Sequence, residues 1–187
     1  MEPLTFLLNI SGLISAVSIS AGFSWCWTTN KFNLRKNTLS DSGNSRKTSA
    51  IFAFSLIMFG ILQVIFTLAI MRKYTLFNHF WLVLPAIFAA LLMVGDAILN
   101  NRTFRKIHGF FGLGIFLTLI PWSLVFGYYI LKVEIPVGFI SLVISAILGL
   151  GTFISYLRYG ACAIPEIFFV GGVVVWNLFF TYALFFV

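Results

Sequence analysis

Four side chains of the sequence have the chemistry for catalysis at a membrane surface: Ser40, Asp41, Asp96 and His108. A serine with a carboxylate, and a histidine as general base, is an arrangement that activates a hydroxyl nucleophile. These residues come from separate segments, and their spacing matches no catalytic signature. Ser40 and Asp41 can equally cap a turn or the helix that follows, because both accept hydrogen bonds from free backbone N–H groups. The sequence is therefore compatible with both interpretations of these residues, a catalytic site and a structural turn.

Basic residues come from the same segments as these candidates. An arginine holds a phosphate through two parallel hydrogen bonds, so arginines at a membrane surface are candidates for binding lipid headgroups. The alternative is that they only mark the topology of the chain. The candidates for lipid or headgroup binding are Arg46, Arg102, Arg105 and Arg158.

The rest of the sequence places these residues in a membrane protein. Hydrophobic residues make up 60% of the 187 residues and charged residues only 9%, whereas soluble domains contain about 25% charged residues. The apolar runs lack the alternation of barrel strands, so only helices satisfy their backbone groups in lipid. Each run is close to the ~20 residues that a helix needs to cross the bilayer. The runs cover residues 4–27, 49–71, 79–99, 107–131, 136–157 and 165–187.

Six spans predict an all-α fold, a polytopic transmembrane bundle of six helices that forms one domain over residues 1–187 with no soluble domain. The first span could instead be a cleaved signal peptide. Its flank, MEPLT, contains an acid and no base, and its apolar run is longer than the core of a signal. We therefore expect the first span to remain as a helix.

The distribution of Lys and Arg predicts the orientation. Loops after the first, third and fifth spans carry nine of the 12 Lys and Arg residues, and we call the membrane face with these loops the basic side. The face with both termini, the terminal side, carries the other three. By the positive-inside rule, the basic side is cytoplasmic and both termini are extracytoplasmic in a cell membrane. The positive charge also predicts contact with anionic headgroups, and it argues against nucleic acid because no soluble basic surface exists.

The histidines argue against a metal or haem site. The chain has 2 histidines, and His79 and His108 start spans from opposite faces, separated by the ~30 Å of the bilayer core. A zinc ion would depend on His108 with Asp96 or Asp41, which is a thin ligand set. We therefore expect neither a bound metal nor a cofactor.

Polar and small residues inside the spans predict how the helices pack. The amides Asn9, Gln63 and Asn177 are expected to join helices through hydrogen bonds, with a ligand site as the alternative. Pro85 and Pro121 lie inside the third and fourth spans, where each should kink or loosen its helix. Small residues at helical spacing predict close approach of neighbouring backbones. Glycines of this kind are Gly12, Gly22, Gly109, Gly112, Gly149, Gly171 and Gly172.

The run LSDSGNSRKTSAIFAFSLIMFGIL, residues 39–62, contains an L-S-D-x-G motif followed by a small polar stretch and an apolar helix. It resembles the six-pass membrane family called domain of unknown function nine-nine-eight, which occurs in bacteria and archaea. A second patch, VGDAILNNRTFRKIHGFFG at residues 94–112, is similar to the family's acidic turn before a histidine in the fourth span. The resemblance implies that Asp41 and His108 are not accidental, but it implies no reaction. A comparable S-D-x-G in Frag/DRAM-type proteins suggests a distant similarity to a wider lipid-associated group.

We expect an accessory or scaffold subunit of a larger membrane protein complex, because the chain is small and shows no redox, metal or catalytic signature. The expected partners are membrane lipids and other membrane protein subunits. Two alternatives stay open. One is an enzyme that processes lipid headgroups at the cytoplasmic interface with the four candidates named first; the other is a small proton-coupled carrier that uses Asp96.

Overall fold

The computed structural model describes residues 2–30, 32–43, 45, 47–99 and 105–187, with the backbone alone for 105–108. No β-strand occurs in these ranges, and six of their helices are long and apolar enough to cross a membrane. The predicted six-helix transmembrane bundle is therefore confirmed, with span limits that differ from the predicted ones by a few residues. In chain order the elements are α1 (Pro3–Thr29), the short α2 (Leu39–Ser42), α3 (Ser49–Lys73), a 3₁₀ segment (Leu76–Val83) continued by α4 (Leu84–Ile98), α5 (Arg105–Leu131), α6 (Ile135–Tyr159) and α7 (Ala163–Phe186).

The third span does not begin as a regular α-helix. Its first part is the 3₁₀ segment, within which His79 has non-helical backbone angles of φ −113° and ψ 46°. The α-helix begins at Leu84, and Pro85 lies in its first turn, where a missing N–H leaves no hydrogen bond unmade. Pro85 therefore starts α4 instead of kinking the middle of a helix, and α5 runs through Pro121 as one helix.

The six spans pack as a closed ring. Each span contacts the next one along the chain, α7 packs against α1 to close the ring, and α3 also touches α7 across it. Large side chains fill the interior: Phe66, Phe126, Trp176 and Phe180 are each at most 2% exposed. In the described part of the chain, the centre of the ring is thus a packed core.

Trp176 joins four helices at this centre. Its ring centroid lies 6.4 Å from that of Phe66 on α3, 5.5 Å from Trp122 on α5 and 4.4 Å from Phe180 on α7. Its indole Nε1 donates a hydrogen bond to Ser141 Oγ on α6 at 3.2 Å. Aromatic pairs at such separations stabilise a core beyond the area that they bury. Trp176 therefore connects α7 to α3, α5 and α6 through one side chain.

Candidate functional site on the basic side

The Ser-Asp motif forms a capped turn, residues 37–43, which we call the basic-side turn. Thr38 is the N-cap of α2: its N–H donates to Asp41 Oδ2 at 2.8 Å, and the Asp41 N–H donates back to Thr38 Oγ1 at 3.3 Å. This reciprocal pair is a capping box, which satisfies backbone donors that a helix start leaves without partners. The hydroxyls of Ser40 and Thr38 lie 2.9 Å apart. Asp41 thus has a structural role in the turn, one of the two roles that the sequence allows.

Two hydrogen bonds fasten the basic-side turn to the start of α7. The Ala163 N–H donates to Asn37 O at 2.7 Å, and the Leu39 N–H donates to a carboxylate oxygen of Glu166. Glu166 lies in the first turn of α7, where the helix dipole favours a negative charge. The carboxylate of Asp41, within the turn, and that of Glu166, on α7, therefore accept hydrogen bonds from the successive backbone N–H groups of Thr38 and Leu39.

Further hydrogen bonds fasten the turn to α1 and α3. Asn30, directly after α1, donates from Nδ2 to Ser42 O at 2.6 Å and to Thr48 Oγ1 at 3.2 Å. Thr48, directly before α3, is fully buried and donates from Oγ1 to the same Ser42 carbonyl at 2.7 Å. The loop between the first two spans is thus folded back onto the bundle at three helix ends.

Asn30 and Thr48 are not among the residues predicted from the sequence, although a signal for them was present. Thr48 directly precedes the second predicted span and Asn30 lies a few residues after the first, where helix termini leave backbone groups that need partners. A short polar side chain at such a position is suited to capping and to bridging the connecting loop.

The structure describes the side chains of three of the four catalytic candidates. Ser40 and Asp41 share the basic-side turn, and Asp96 lies near the end of α4 with 5% of its surface exposed. Most of the basic candidates, and His108, lie outside the side chains that the structure describes. Those outside are Arg46, Arg102, Arg105 and His108.

Arg158 comes from α6 and not from this turn. It is exposed at the basic-side end of α6, and its guanidinium carbon lies 5.4 Å from the centre of the Tyr159 ring. A guanidinium over an aromatic ring gains a cation–π attraction, which holds the charge at the membrane surface.

The three amides predicted inside the spans are buried and make hydrogen bonds between helices. Asn177 Nδ2 on α7 donates to Gln63 Oε1 on α3 at 2.9 Å and to Ser15 Oγ on α1 at 3.4 Å. Asn9 Nδ2 on α1 donates to Leu184 O on α7 at 3.4 Å. By distance the bond between Asn177 and Gln63 is the strongest of the three. These bonds link α1, α3 and α7 inside the hydrocarbon layer.

On the terminal side, Tyr74 is buried where α3 ends. It is 4% exposed, and its ring lies edge-on to Phe180 at 6.5 Å. Its hydroxyl has no hydrogen-bond partner among the described residues. Burial, followed by the negative charge of Glu134, raises the pKa of Tyr74 to about 12, since both disfavour the phenolate. Tyr74 is therefore a neutral core residue near neutral pH.

The contacts of the basic-side turn limit its chemistry. Among the described residues, the Ser40 hydroxyl is hydrogen-bonded to Thr38, a neutral hydroxyl that is a poor general base. In the same ranges, no group of three or more His, Cys, Asp and Glu side chains is placed to hold a metal ion. What the described residues build is a partly buried polar turn that hydrogen bonds fasten to the ends of α1, α3 and α7.

The ring of six apolar helices, with its polar turn at one end, defines a multi-pass α-helical membrane protein. The chain belongs to the family described as Protein of unknown function (DUF998), whose model matches residues 10–183. This match confirms the family resemblance of the run at residues 39–62. No curated protein and no solved structure matches the chain.

Proposed function

We propose that the chain is a non-catalytic accessory subunit of a larger membrane assembly and that the basic-side turn is its docking surface. The observation that carries the proposal is the anchoring of this turn by α1, α3 and α7 through Asn30, Thr48 and Glu166. Ordering a loop costs about 1–2 kcal/mol per residue in backbone entropy. A surface that is ordered before a partner arrives binds without that cost.

Exposed cations next to the turn indicate the kind of partner. Arg35, Lys36 and Lys47 are all exposed, and they flank the turn on both sides along the chain. Charged groups at the rim of an interface steer association and select the partner more than they add affinity. A membrane subunit with an acidic loop on the same side of the bilayer fits this surface.

Co-purification from native membranes tests the proposal. The tagged wild-type chain should retain a second polypeptide at a fixed molar ratio, and the double variant Lys36→Glu, Lys47→Glu should lose it. The double variant Arg72→Glu, Lys73→Glu is the matched control, because it reverses two exposed charges at the terminal-side end of α3, and it should retain the partner. Recovery of the wild-type chain alone, or equal retention by the two double variants, overturns the proposal.

A second candidate is an enzyme that processes lipid headgroups, and one observation favours it: Ser40 lies in a turn that the carboxylates of Asp41 and Glu166 both approach. Ser40→Ala separates the two functions. An enzyme loses headgroup turnover in this variant, whereas an accessory subunit keeps its partner because the turn retains its anchors. Asp41→Asn should loosen the turn whether the chain is an enzyme or an accessory subunit. It should abolish headgroup turnover only if the chain is the enzyme.

The orientation with the basic side in the cytoplasm is part of the proposal and rests on the positive-inside rule. Cys26 and Cys162 are both buried and free, so an introduced cysteine can be labelled over a quiet background. Arg35→Cys should resist a membrane-impermeant thiol reagent in intact cells, and Arg72→Cys should react. The reverse pattern would place the basic side outside.

A further inference from the structure

The helices α6 and α7 leave an apolar groove on the outer surface of the bundle. Its volume is about 320 Å³, and it opens toward the lipid, since Ile147 and Val175 in its wall are exposed. Every side chain in the wall is apolar. The residues that shape it are Ile144, Ile147 and Leu148 on α6, with Phe168, Gly171 and Val175 on α7.

Two adjacent glycines on α7 explain the groove. A Cβ at Gly172 would lie 2.9 Å from the Cβ of Leu148 on α6, whereas a Cβ at Gly171 would have no atom within 4 Å. Gly172 therefore lets the two helices approach, and Gly171 leaves the space beside that contact empty. An apolar space without partner atoms forfeits dispersion contacts, so an occupant with apolar chains gains by entering it.

Most of the groove lies in the basic-side leaflet. It starts near Ile167, about 6 Å from the beginning of α7 at Ala163, and reaches Val175, about 18 Å from that point, at the helical rise per residue. One leaflet contributes half of the ~30 Å hydrocarbon core. The groove thus has the depth of a single acyl chain on the basic side.

Arg158 lies above the groove on the same face of α6. Ile147, Gly151, Ile154 and Arg158 follow at steps of four, three and four residues, which places them on one helical face. Arg158 is about 16 Å along the helix from Ile147. It therefore lies at the level of the lipid headgroups when Ile147 lies at the level of the acyl chains. Tyr159, whose ring lies 5.4 Å from the guanidinium, is an amphipathic side chain suited to the same depth.

From this arrangement of groove and cation, we propose that α6 and α7 bind one phospholipid with an anionic headgroup. Its acyl chain fills the groove and its phosphate accepts hydrogen bonds from Arg158, whose guanidinium matches phosphate geometry. An anionic headgroup is favoured because it has no cation of its own to offset the phosphate charge, as the choline of a zwitterionic lipid does. A transmembrane helix fits less well, because a helix is about 10 Å wide and an apolar helix offers Arg158 no anion. The lipid site does not depend on the proposed function, since it faces lipid whether or not a partner is docked on the turn.

The headgroup part of the proposal is tested by native mass spectrometry of the purified full chain. Phosphatidylglycerol and phosphatidylcholine with identical acyl chains serve as the probes. The wild type should bind one phosphatidylglycerol about fivefold more tightly than phosphatidylcholine, the ratio expected for one basic residue at an anionic surface. Arg158→Gln should abolish this preference. Arg35→Gln removes an exposed arginine from the same side and should keep it.

The part of the proposal that concerns the acyl chain is tested by filling the groove. Gly171→Leu should weaken the binding of both lipids by the same factor, because its side chain occupies the acyl position without meeting the protein. Gly112→Leu is the matched control, since a Cβ there also has no atom within 4 Å. If Gly171→Leu does not accumulate, Val175→Phe blocks the same wall.

Three outcomes overturn the lipid site. One is a headgroup preference that survives Arg158→Gln, and another is lipid binding in Gly171→Leu or Val175→Phe that equals the Gly112→Leu control. The third is a second copy of the chain, or another polypeptide, retained by the wild type in place of lipid and lost in Gly171→Leu.

Discussion

The seam between α1 and α3 and the outer edge of the seam between α6 and α7 use glycine in opposite ways, although Gly172 on the inner side of the second seam is also a close contact. On α1, Gly12 faces the ring of Phe66 and Gly22 faces Ser55, so closely that a Cβ at either glycine would overlap the α3 side chain. On α7, Gly171 faces no atom within 4 Å. The first seam is closed and the second holds a groove. A glycine in a membrane helix therefore marks a contact only where the neighbouring helix supplies a side chain to fill the space.

A membrane permits this difference at little cost. Lipid chains are as apolar as leucine, so an open apolar groove on the outer surface loses no hydrophobic stabilisation when lipid enters it. The same gap in the centre of the ring would have no lipid to fill it and would cost free energy as a cavity.

Trp176→Ala should have the largest effect, because it opens a cavity on the inner side of the α6–α7 seam. Trp176 is 2% exposed and contacts side chains of α3, α5 and α6. We expect the free energy of unfolding to fall by about 3–5 kcal/mol, measured by thermal or denaturant unfolding in detergent. Trp176→Phe retains part of the ring and should lose less. A loss below about 0.5 kcal/mol, the size of a surface substitution, would contradict the packed centre.

Gly12→Leu should have the next largest effect, because it overfills the closed α1–α3 seam. The new side chain meets the Phe66 ring, which is itself fully buried and has no free space to enter. Overpacking of this kind costs about 1–3 kcal/mol. The measurement is the unfolding midpoint of Gly12→Leu beside that of Gly171→Leu. Equal midpoints for the two variants would remove the distinction between the seams.

Tyr74 gives a pH-dependent test at the point where α3 meets α7. The folded-state pKa of about 12 lies above the ordinary value of 10.0, so the stability tied to neutral Tyr74 is complete below pH 10 and falls as the pH rises toward 12. Tyr74→Phe has no proton to lose at this position. The unfolding midpoint of the wild type should therefore fall relative to Tyr74→Phe only above about pH 10. Parallel curves through that window would show that Tyr74 is not buried as described.

Gly171→Leu should change stability least. Its side chain enters the open groove, and leucine favours a helix more than glycine does. We expect a change within about 0.5 kcal/mol, or a small gain, from unfolding in detergent without added phospholipid. A large loss would mean that α7 is rotated and that Gly171 faces a helix.

The sequence predicts the spans well because a membrane imposes a length on each apolar run. It predicts the turn less well, since the roles of Asp41 as cap and as catalyst need the same residue types. The attachment of the turn to α7 depends on the hydrogen bond from Leu39 to Glu166, which are 127 residues apart in the chain. A contact between such distant residues cannot be predicted from a local motif. The groove is beyond pattern analysis, because Gly171 and Gly172 are adjacent and identical. Only the rotation of α7 about its own axis tells them apart.

The break at the start of the third span shows the same limit. Pro85 in an apolar run predicts that the turn before it is disturbed, since proline cannot donate to the carbonyl four residues earlier, but it does not predict that the disturbed part is a 3₁₀ segment of 8 residues. The 3₁₀ segment before it is fixed by a tertiary contact, the hydrogen bond from Trp122 Nε1 to Leu82 O at 2.7 Å. Such contacts override local preferences.

The central claim is that the chain works as one part of a membrane assembly, and the most direct test is the mass of the particle extracted from native membranes with its surrounding lipid. We predict a particle that contains this chain and at least one further polypeptide at a fixed ratio, with the further polypeptide absent when Lys36 and Lys47 are both replaced by glutamate. A particle that contains only this chain and lipid would contradict the claim, and loss of headgroup turnover in Ser40→Ala would then identify the chain as the enzyme.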